Sequence, residues 1–336
     1  MLSIFHKKSL LKVGVVGVRH ESNIGNNLLK YAISVKLSEL GYIPYIIGTV
    51  WNKYNNIEFI KHSTNLVIIK DNFSEIKKDD YDILMVNSDQ TWFKFDKNFY
   101  DYGFLRFAEN WTIPKIVYGA SLGFNKLHSK QDNKIAKTLL KKFQGISVRE
   151  ESSIKLIIKH LGIKPELVLD PTFLIDKKYY YDLIENFKVN ITKNEKYIFV
   201  YNIGNSQYIL NSMNNASKQL NLGIYYFPLN NDSSIQNFLY YIVNSNSVIT
   251  NSYHGTVFSI IFNKPFITIY KRNLPKERFN TLGNLLNLNE RIFENIQQPN
   301  YNLLMQPLNI NNSLLNQLKQ KSINFLKKSL RNNINN

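Results

Sequence analysis

The chain has 336 residues, with 42 Lys and Arg against 25 Asp and Glu, a formal net charge of +17, and 44% hydrophobic residues. That apolar content excludes a disordered chain, and the absence of cysteine excludes disulfides, thiolate-bound metals and Cys nucleophiles. At this length two domains, each burying its own core, are expected.

The excess positive charge has four candidate sources: a nucleic acid, a membrane surface, an anionic substrate or coding bias. Roughly one residue in seven is Asn, where a few per cent is ordinary. Lys and Ile are also frequent, so part of the charge reads as AT-rich coding. No apolar run reaches the roughly 18 residues that span a bilayer. Residues 1–5 are too short for a signal core and are followed, not preceded, by His6, Lys7 and Lys8. A cytoplasmic location is expected, with the inner face of the membrane left open.

Strands and helices alternate from the start. Residues 12–18 read as an apolar strand, 25–40 as a helix through Leu28, Tyr31, Ala32, Val35 and Leu40, and 43–47 as the next strand, a β-α-β unit. Short apolar strands follow at 66–69, 83–86, 116–118, 145–148 and 167–169, with helices at 131–143 and 152–161 between the later ones. Buried strands separated by helices predict a parallel, doubly wound sheet. The polar stretch 176–196 reads as an inter-domain segment. A second alternating set then runs through strand 197–201, helix 208–220, strand 223–227, helix 234–243, strand 247–250, helix 255–262 and strand 266–270. The expected units are 1–178, 195–295 and a basic helical tail, 296–336. Two doubly wound units in tandem predict a ligand cleft between the carboxyl ends of their sheets. The tail helix, 313–330, carries Leu315, Leu318, Ser322, Phe325, Leu326 and Leu330 on one face. It reads as packing back on the fold, with a membrane-surface helix as the alternative.

Five strand ends carry candidate chemistry. The turn from Arg19 through His20, Glu21, Ser22, Asn23, Gly25 and Asn26 precedes a helix whose free N–H groups suit an anion or a hydroxyl-rich ligand; a plain strand-to-helix loop with an Asn cap fits equally. It is neither a dinucleotide nor a Walker A sequence. Asn87, Ser88, Asp89, Gln90, Thr91 and Trp92 follow a buried strand. There Asp89 could accept a proton or hold a sugar hydroxyl and Trp92 could stack on a sugar, against a capping Asp and a core Trp. Arg149 could present its guanidinium to phosphate or carboxylate, or pair with Glu150 or Glu151. Asp170, before Pro171 and Thr172, reads as structural. The most telling segment is Thr250-Asn251-Ser252-Tyr253-His254-Gly255-Thr256. A His on a strand-to-helix turn, beside free N–H groups, can move a proton next to a bound anion. Lys271, Arg272 and Arg278 are further cations, solvated by default. His6, His62, His128 and His160 are scattered without metal spacing, so no metal is expected. No hydrolase elbow and no nucleic-acid signature is present.

Taken together, N-I-G-N-N-L-L-K-Y-A (23–32), N-S-D-Q-T-W (87–92), Y-G-A-S-L-G (118–123), I-S-V-R-E-E-S (146–152), L-D-P-T (169–172), N-S-Y-H-G-T-V-F-S (251–259) and R-F-N-T-L (278–282) resemble the polysaccharide pyruvyl transferase family in order and content. The resemblance implies two Rossmann-like domains similar to GT-B glycosyltransferases. It also implies transfer of pyruvate from phosphoenolpyruvate, as a ketal, onto a sugar of a surface polysaccharide or its lipid-linked precursor. It places His254 as the catalytic His and Arg149 on the phosphoenolpyruvate anion; Asp89, read from its strand end, is the second expected catalytic residue. Asn23, Gly25, Asn26, Gln90, Ser252, Gly255, Thr256 and Arg278 complete the expected substrate-binding set. Phosphoenolpyruvate is the co-substrate, with no cofactor. A glycan or lipid-linked sugar is the acceptor, nucleic acid is not a partner, and peripheral membrane contact would run through the basic tail. Many members carry D-R-L-H-G where this chain has Asn251-Ser252-Tyr253-His254-Gly255. Either another cation, Arg278 or Lys271, supplies the charge, or the donor differs. The alternative enzyme reading is a GT-B-like glycosyltransferase using a nucleotide sugar; a basic binding protein for RNA or anionic membrane rests on charge alone.

Overall fold

The computed structural model describes residues 10–17, 23–48, 65–68, 73–92, 97–123, 129–185, 196–229, 234–272 and 276–331. The first sheet has seven strands, β1 (Lys12–Val16), β2 (Ile43–Gly48), β3 (Asn65–Ile68), β4 (Ile83–Val86), β5 (Lys115–Ala120), β6 (Gly145–Val148) and β7 (Glu166–Leu167), in the order β3-β2-β1-β4-β5-β6-β7. All its pairings are parallel. The order runs outward from β1 and β4, so the topological switch point lies between them, and a doubly wound sheet binds ligands beyond the carboxyl ends of those strands. The second sheet is also parallel, with β8 (Tyr197–Tyr201), β9 (Gly223–Tyr226), β10 (Ser247–Thr250), β11 (Phe266–Tyr270) and β12 (Ile292–Glu294) in the order β12-β11-β10-β8-β9. Its switch point lies between β8 and β10.

The expected strand 12–18 stops at Val16, and Val18 lies outside the described residues. Strands 247–250 and 266–270 fall where the sequence places them. β12 has only Ile292 and Phe293 as apolar residues, too few to mark a strand. The expected inter-domain segment 176–196 is in part helical: α5 (Lys178–Glu185) buries Tyr180, whose ring stands edge-on to Phe258 at 5.1 Å. The other helices of the first half are α1 (Ile24–Glu39), α2 (Lys97–Gly103), α3 (Lys130–Leu140) and α4 (Glu151–Leu161); those of the second are α6 (Gln207–Leu220), α7 (Ile235–Asn244), α8 (Tyr253–Ile261) and α9 (Glu277–Leu286).

α1 begins where Asn23 accepts the Asn26 N–H at 3.1 Å, an N-cap that satisfies one free donor of the first turn. It is not a one-sided amphipathic helix. Ile33 and Leu37 pack on the first sheet with Val13, Val15 and Met85. Ile24, Leu28, Tyr31 and Ala32 pack with Phe238, Val257 and Phe258 of the second half. A helix apolar around its circumference is buried on more than one side, and α1 joins the cores of both halves.

The tail helix, α10 (Asn312–Arg331), returns to the first sheet. Ile323, Phe325, Leu326 and Leu330 pack beneath β1, β4 and β5, with Phe325 against Tyr118 at 6.2 Å between ring centroids. Its apolar face is therefore occupied, while Lys321 and Lys328 are exposed. No described helix is long and apolar enough to cross a membrane. Ser322 Oγ accepts the N–H of Leu169 at 2.9 Å, which ties α10 to the segment carrying Asp170. Leu326 is fully buried, so Leu326→Ala should destabilise the protein by about 3 kcal/mol through the lost contacts and the cavity left behind, read as a lowered urea midpoint.

Candidate active site

The two switch points face each other, and the polar loops that follow β4, β6, β7 and β10 meet between them. After β4, Asp89 adopts φ 129°, a conformation that L side chains rarely take. The turn is held by its own backbone: the Asp89 carbonyl accepts from Thr91 N at 2.7 Å and Ser121 N at 2.9 Å. Its carboxylate bridges the switch point of the first sheet. Oδ2 accepts from Asn26 Nδ2 at 3.1 Å, and Oδ1 from Arg149 at 3.0 Å and from Gln90 N at 2.9 Å.

Arg149, at the end of β6, has a 1% exposed side chain and two carboxylate partners. One terminal nitrogen donates to Asp170 Oδ2 at 2.6 Å and lies 3.4 Å from Ser88 Oγ, and the other donates to Asp89. Neither Glu150 nor Glu151 pairs with it. Glu150 is buried and accepts instead from Ser121 Oγ, from Ser153 Oγ at 2.7 Å and from Leu122 N at 3.3 Å. Asp170 is the residue that sequence reasoning sets aside as structural. It is both: Oδ1 caps the turn by accepting from Thr172 N at 3.1 Å and Thr172 Oγ1 at 2.7 Å, while Oδ2 faces Arg149.

His254 stands in the first turn of α8, where Ser252 caps the helix by accepting Gly255 N at 3.3 Å. Its Nε2 lies 3.7 Å from Asp170 Oδ2, beyond hydrogen-bond reach, and is buried without a hydrogen-bond partner. The ring rests against Gly25 of α1; a Cβ there would overlap its Cβ, Cγ and Nδ1. Two helix N-termini, those of α1 and α8, thus converge on the imidazole, and both favour a bound anion. Tyr253, beside it, has the Arg149 guanidinium 4.7 Å from its ring centre and that of Arg278, from α9, at 5.3 Å.

Burial alone would raise the carboxyls of Asp89 and Asp170. At Asp89 the Arg149 charge outweighs it; at Asp170 the neighbouring His254 and then Arg149 do, and both groups are held below the usual carboxylate range. A carboxylate held in this way accepts hydrogen bonds but is a poor proton acceptor, which favours, of the two readings of Asp89, the one in which it holds a hydroxyl. Burial opposes the Arg149 charge too, yet Asp170 and Asp89 raise its pKa above the ordinary value.

The structure brings Gly25, Asn26, Asp89, Arg149, His254 and Arg278 together. Asn23 is engaged as the α1 cap and Ser252 as the α8 cap. Gln90 contributes its backbone N–H to Asp89. Gly255 sits where a Cβ would overlap Thr250, so it serves close packing on β10. Thr256 is fully buried, its hydroxyl bonded to Ser252 O at 3.0 Å and paired with Thr268 Oγ1 at 2.6 Å. Trp92 follows the core reading: it is 1% exposed, donates Nε1–H to Gly103 O at 2.7 Å and stacks on Phe104. Asn251 locks the turn after β8, its amide reaching Asn202, Ile203 and Ser206. Lys271 and Arg272 are exposed. Arg19, His20, Glu21 and Ser22 lie outside the described residues.

Gly25→Ala should displace the His254 ring and cut turnover at least tenfold with folding retained, measured by initial rates alongside circular dichroism. Arg149→Met leaves two buried carboxylates uncompensated, at a cost of about 3–5 kcal/mol at pH 7. Because the folded-state pKa values of Asp89 and Asp170 are depressed, their contribution in the wild type is complete above the unfolded value of about 4 and is lost as pH falls through the folded values. The difference between wild type and Arg149→Met in urea unfolding should therefore shrink below about pH 4.

Solved structures with the same arrangement of two parallel sheets include UDP-GlcNAc 2-epimerase from Neisseria meningitidis bound to UDP-GlcNAc (13% identity, 94% of this chain and 99% of that one, TM-score 0.60). Two others are a putative UDP-N-acetylglucosamine 2-epimerase from Listeria monocytogenes (10% identity, 96% and 91%, TM-score 0.56) and UDP-GlcNAc 2-epimerase from Methanocaldococcus jannaschii (12% identity, 95% and 100%, TM-score 0.55). At these identities the likeness is one of fold, which is GT-B-like. No curated protein sequence matches the chain. The sequence pattern of the polysaccharide pyruvyl transferases matches residues 23–271, a span that holds the Asn26, Asp89, Arg149, Asp170 and His254 cluster. The chain belongs to the polysaccharide pyruvyl transferase family and is a transferase.

Proposed function

We propose that this cleft transfers the pyruvyl group of phosphoenolpyruvate, as a ketal, to a pair of hydroxyls on a sugar of a surface polysaccharide or its lipid-linked precursor. The observation that carries the reading is His254: a buried imidazole with Nε2 unpartnered, between two helix N-termini and 3.7 Å from an ionised Asp170. That group can carry protons in both directions beside an anion.

The chemistry balances with one such carrier. The methylene carbon of phosphoenolpyruvate takes a proton to become methyl, and a sugar hydroxyl attacks C2 and releases its proton. Phosphate departs with a proton, and a second hydroxyl closes the ketal and releases another. Two protons are taken up and two given back. In this reading His254 delivers the proton to the methylene carbon and recovers one from the attacking hydroxyl. Asp170 sits where it stabilises the imidazolium, and Asp89 accepts a hydrogen bond from the sugar rather than a proton. The alternative, a nucleotide-sugar donor, draws on the UDP-GlcNAc held by the Neisseria epimerase of the same fold.

His254→Ala should abolish phosphate release from phosphoenolpyruvate in the presence of pyranoside acceptors bearing free hydroxyl pairs, with the urea midpoint little changed. Retained release would remove His254 from the chemistry. Saturation-transfer NMR with phosphoenolpyruvate and a set of nucleotide sugars decides between the donors.

A further inference from the structure

Outside the cleft, the outer side of α10 meets the edge of the first sheet in a second concave surface. A groove of about 480 Å³ opens between α10 and β7, the edge strand, within the range of volumes that hold small ligands. Gln317, Lys321, Asn324 and Lys328 recur at helical spacing along it with Gln320 beside them, and β7 supplies Glu166. Among the described residues that line it, Phe325 alone is apolar. None of the six polar side chains makes a hydrogen bond or an ion pair with another described residue. Scattered over a convex surface, such groups are simply solvated. Here three amides, two ammonium groups and a carboxylate are gathered around one hollow.

Each amide offers donors and an acceptor, which is what neighbouring sugar hydroxyls present in return, and Glu166 accepts from hydroxyls. Two lysines against one carboxylate make the groove favour an anionic ligand. A bilayer surface fits less well. The buried residues Ile323, Phe325, Leu326 and Leu330 of α10 are turned to the first sheet, which leaves no apolar row to insert among lipid headgroups. The groove is also joined to the cleft. Glu166 precedes Asp170 by four residues, no more than about 14 Å of chain, and Lys321 adjoins Ser322, whose Oγ accepts the Leu169 N–H at 2.9 Å. We infer that this groove holds a carboxylate-bearing stretch of the glycan acceptor beyond the reacting sugar. Lys321 and Lys328 receive the carboxylates, and Gln317, Gln320, Asn324 and Glu166 receive the hydroxyls. That the ligand is part of the acceptor rests on the proposed glycan substrate; the preference for acidic sugars rests on the groove's own side chains.

Calorimetry on the full chain tests this with four probes: tetragalacturonate, a hyaluronan tetrasaccharide, neutral maltotetraose, and vesicles of phosphatidylglycerol in phosphatidylcholine. At least one acidic tetrasaccharide should bind, with maltotetraose weaker by about tenfold or more. Lys321→Gln combined with Lys328→Gln should weaken the acidic ligand by about tenfold, the loss of two exposed charge contacts. Gln320→Ala with Asn324→Ala should weaken it as well. In both variants the melting temperature, and phosphate release with a monosaccharide acceptor, should stay at the wild-type values. A double-lysine variant that binds as the wild type does overturns the inference. So does wild-type protein that binds neither acidic tetrasaccharide, that binds maltotetraose equally well, or that binds vesicles but no oligosaccharide. His254→Ala should keep the wild-type affinity for the tetrasaccharide. If the wild type releases no phosphate from phosphoenolpyruvate while lysine-dependent binding holds, the pyruvyl reading falls and the groove stands.

Discussion

The site depends on one guanidinium held between two carboxylates. Arg149 joins the end of β6 to the loops after β4 and β7, so three strands of the first sheet are fixed to one another at their carboxyl ends by two ion pairs of 2.6 and 3.0 Å. Removed from water, such pairs add little net stability, since desolvation offsets much of the Coulombic gain. Their value is in geometry. Each carboxylate has one oxygen on Arg149 and the other on a second partner, Asn26 for Asp89 and Thr172 for Asp170. Neither can rotate without losing a charge-assisted hydrogen bond.

The second constraint is steric. α1 approaches the His254 ring so closely that position 25 admits no side chain, and the approach is set by apolar packing that α1 shares with both halves. Electrostatics thus arrange the floor of the site from the first sheet, and packing brings the imidazole of the second half down onto it. The imidazole and the carboxylates that face it come from opposite halves, so the cluster exists only where the two cores are continuous.

Much of this is legible in the amino-acid order. Polar residues placed directly after apolar strands mark Asp89, Arg149 and His254, because a doubly wound sheet gathers its strand ends at one edge. Pairing partners were less legible. Local order offers Glu150 to Arg149, but adjacent residues leaving a strand point to opposite faces, and Glu150 turns to Ser121 and Ser153 instead. Asp170 reads as a turn cap before proline and is one; its second oxygen has no signature. Trp92 follows Asp89 closely in sequence but faces Phe104, since exposure of an aromatic ring is decided by what packs around it and not by its position along a loop. Arg278 is separated from His254 by a full strand and a loop, so only the fold could show that the two share a ring.

The bond from Leu169 to Ser322 sets an order of events during synthesis. Asp170 is fixed from below by α10, which lies some 150 residues later in the chain. During translation the first sheet can be complete, with Asp89 and Arg149 in place, while α1 alone covers part of the face that carries β1, β4 and β5. Until α10 has left the ribosome, the segment leading into Asp170 lacks its anchor and the part of the apolar face that α10 covers stays open to water. A nascent chain stopped before residue 312 therefore leaves part of a hydrophobic sheet exposed, and Asp170 is among the last residues of the site to be fixed.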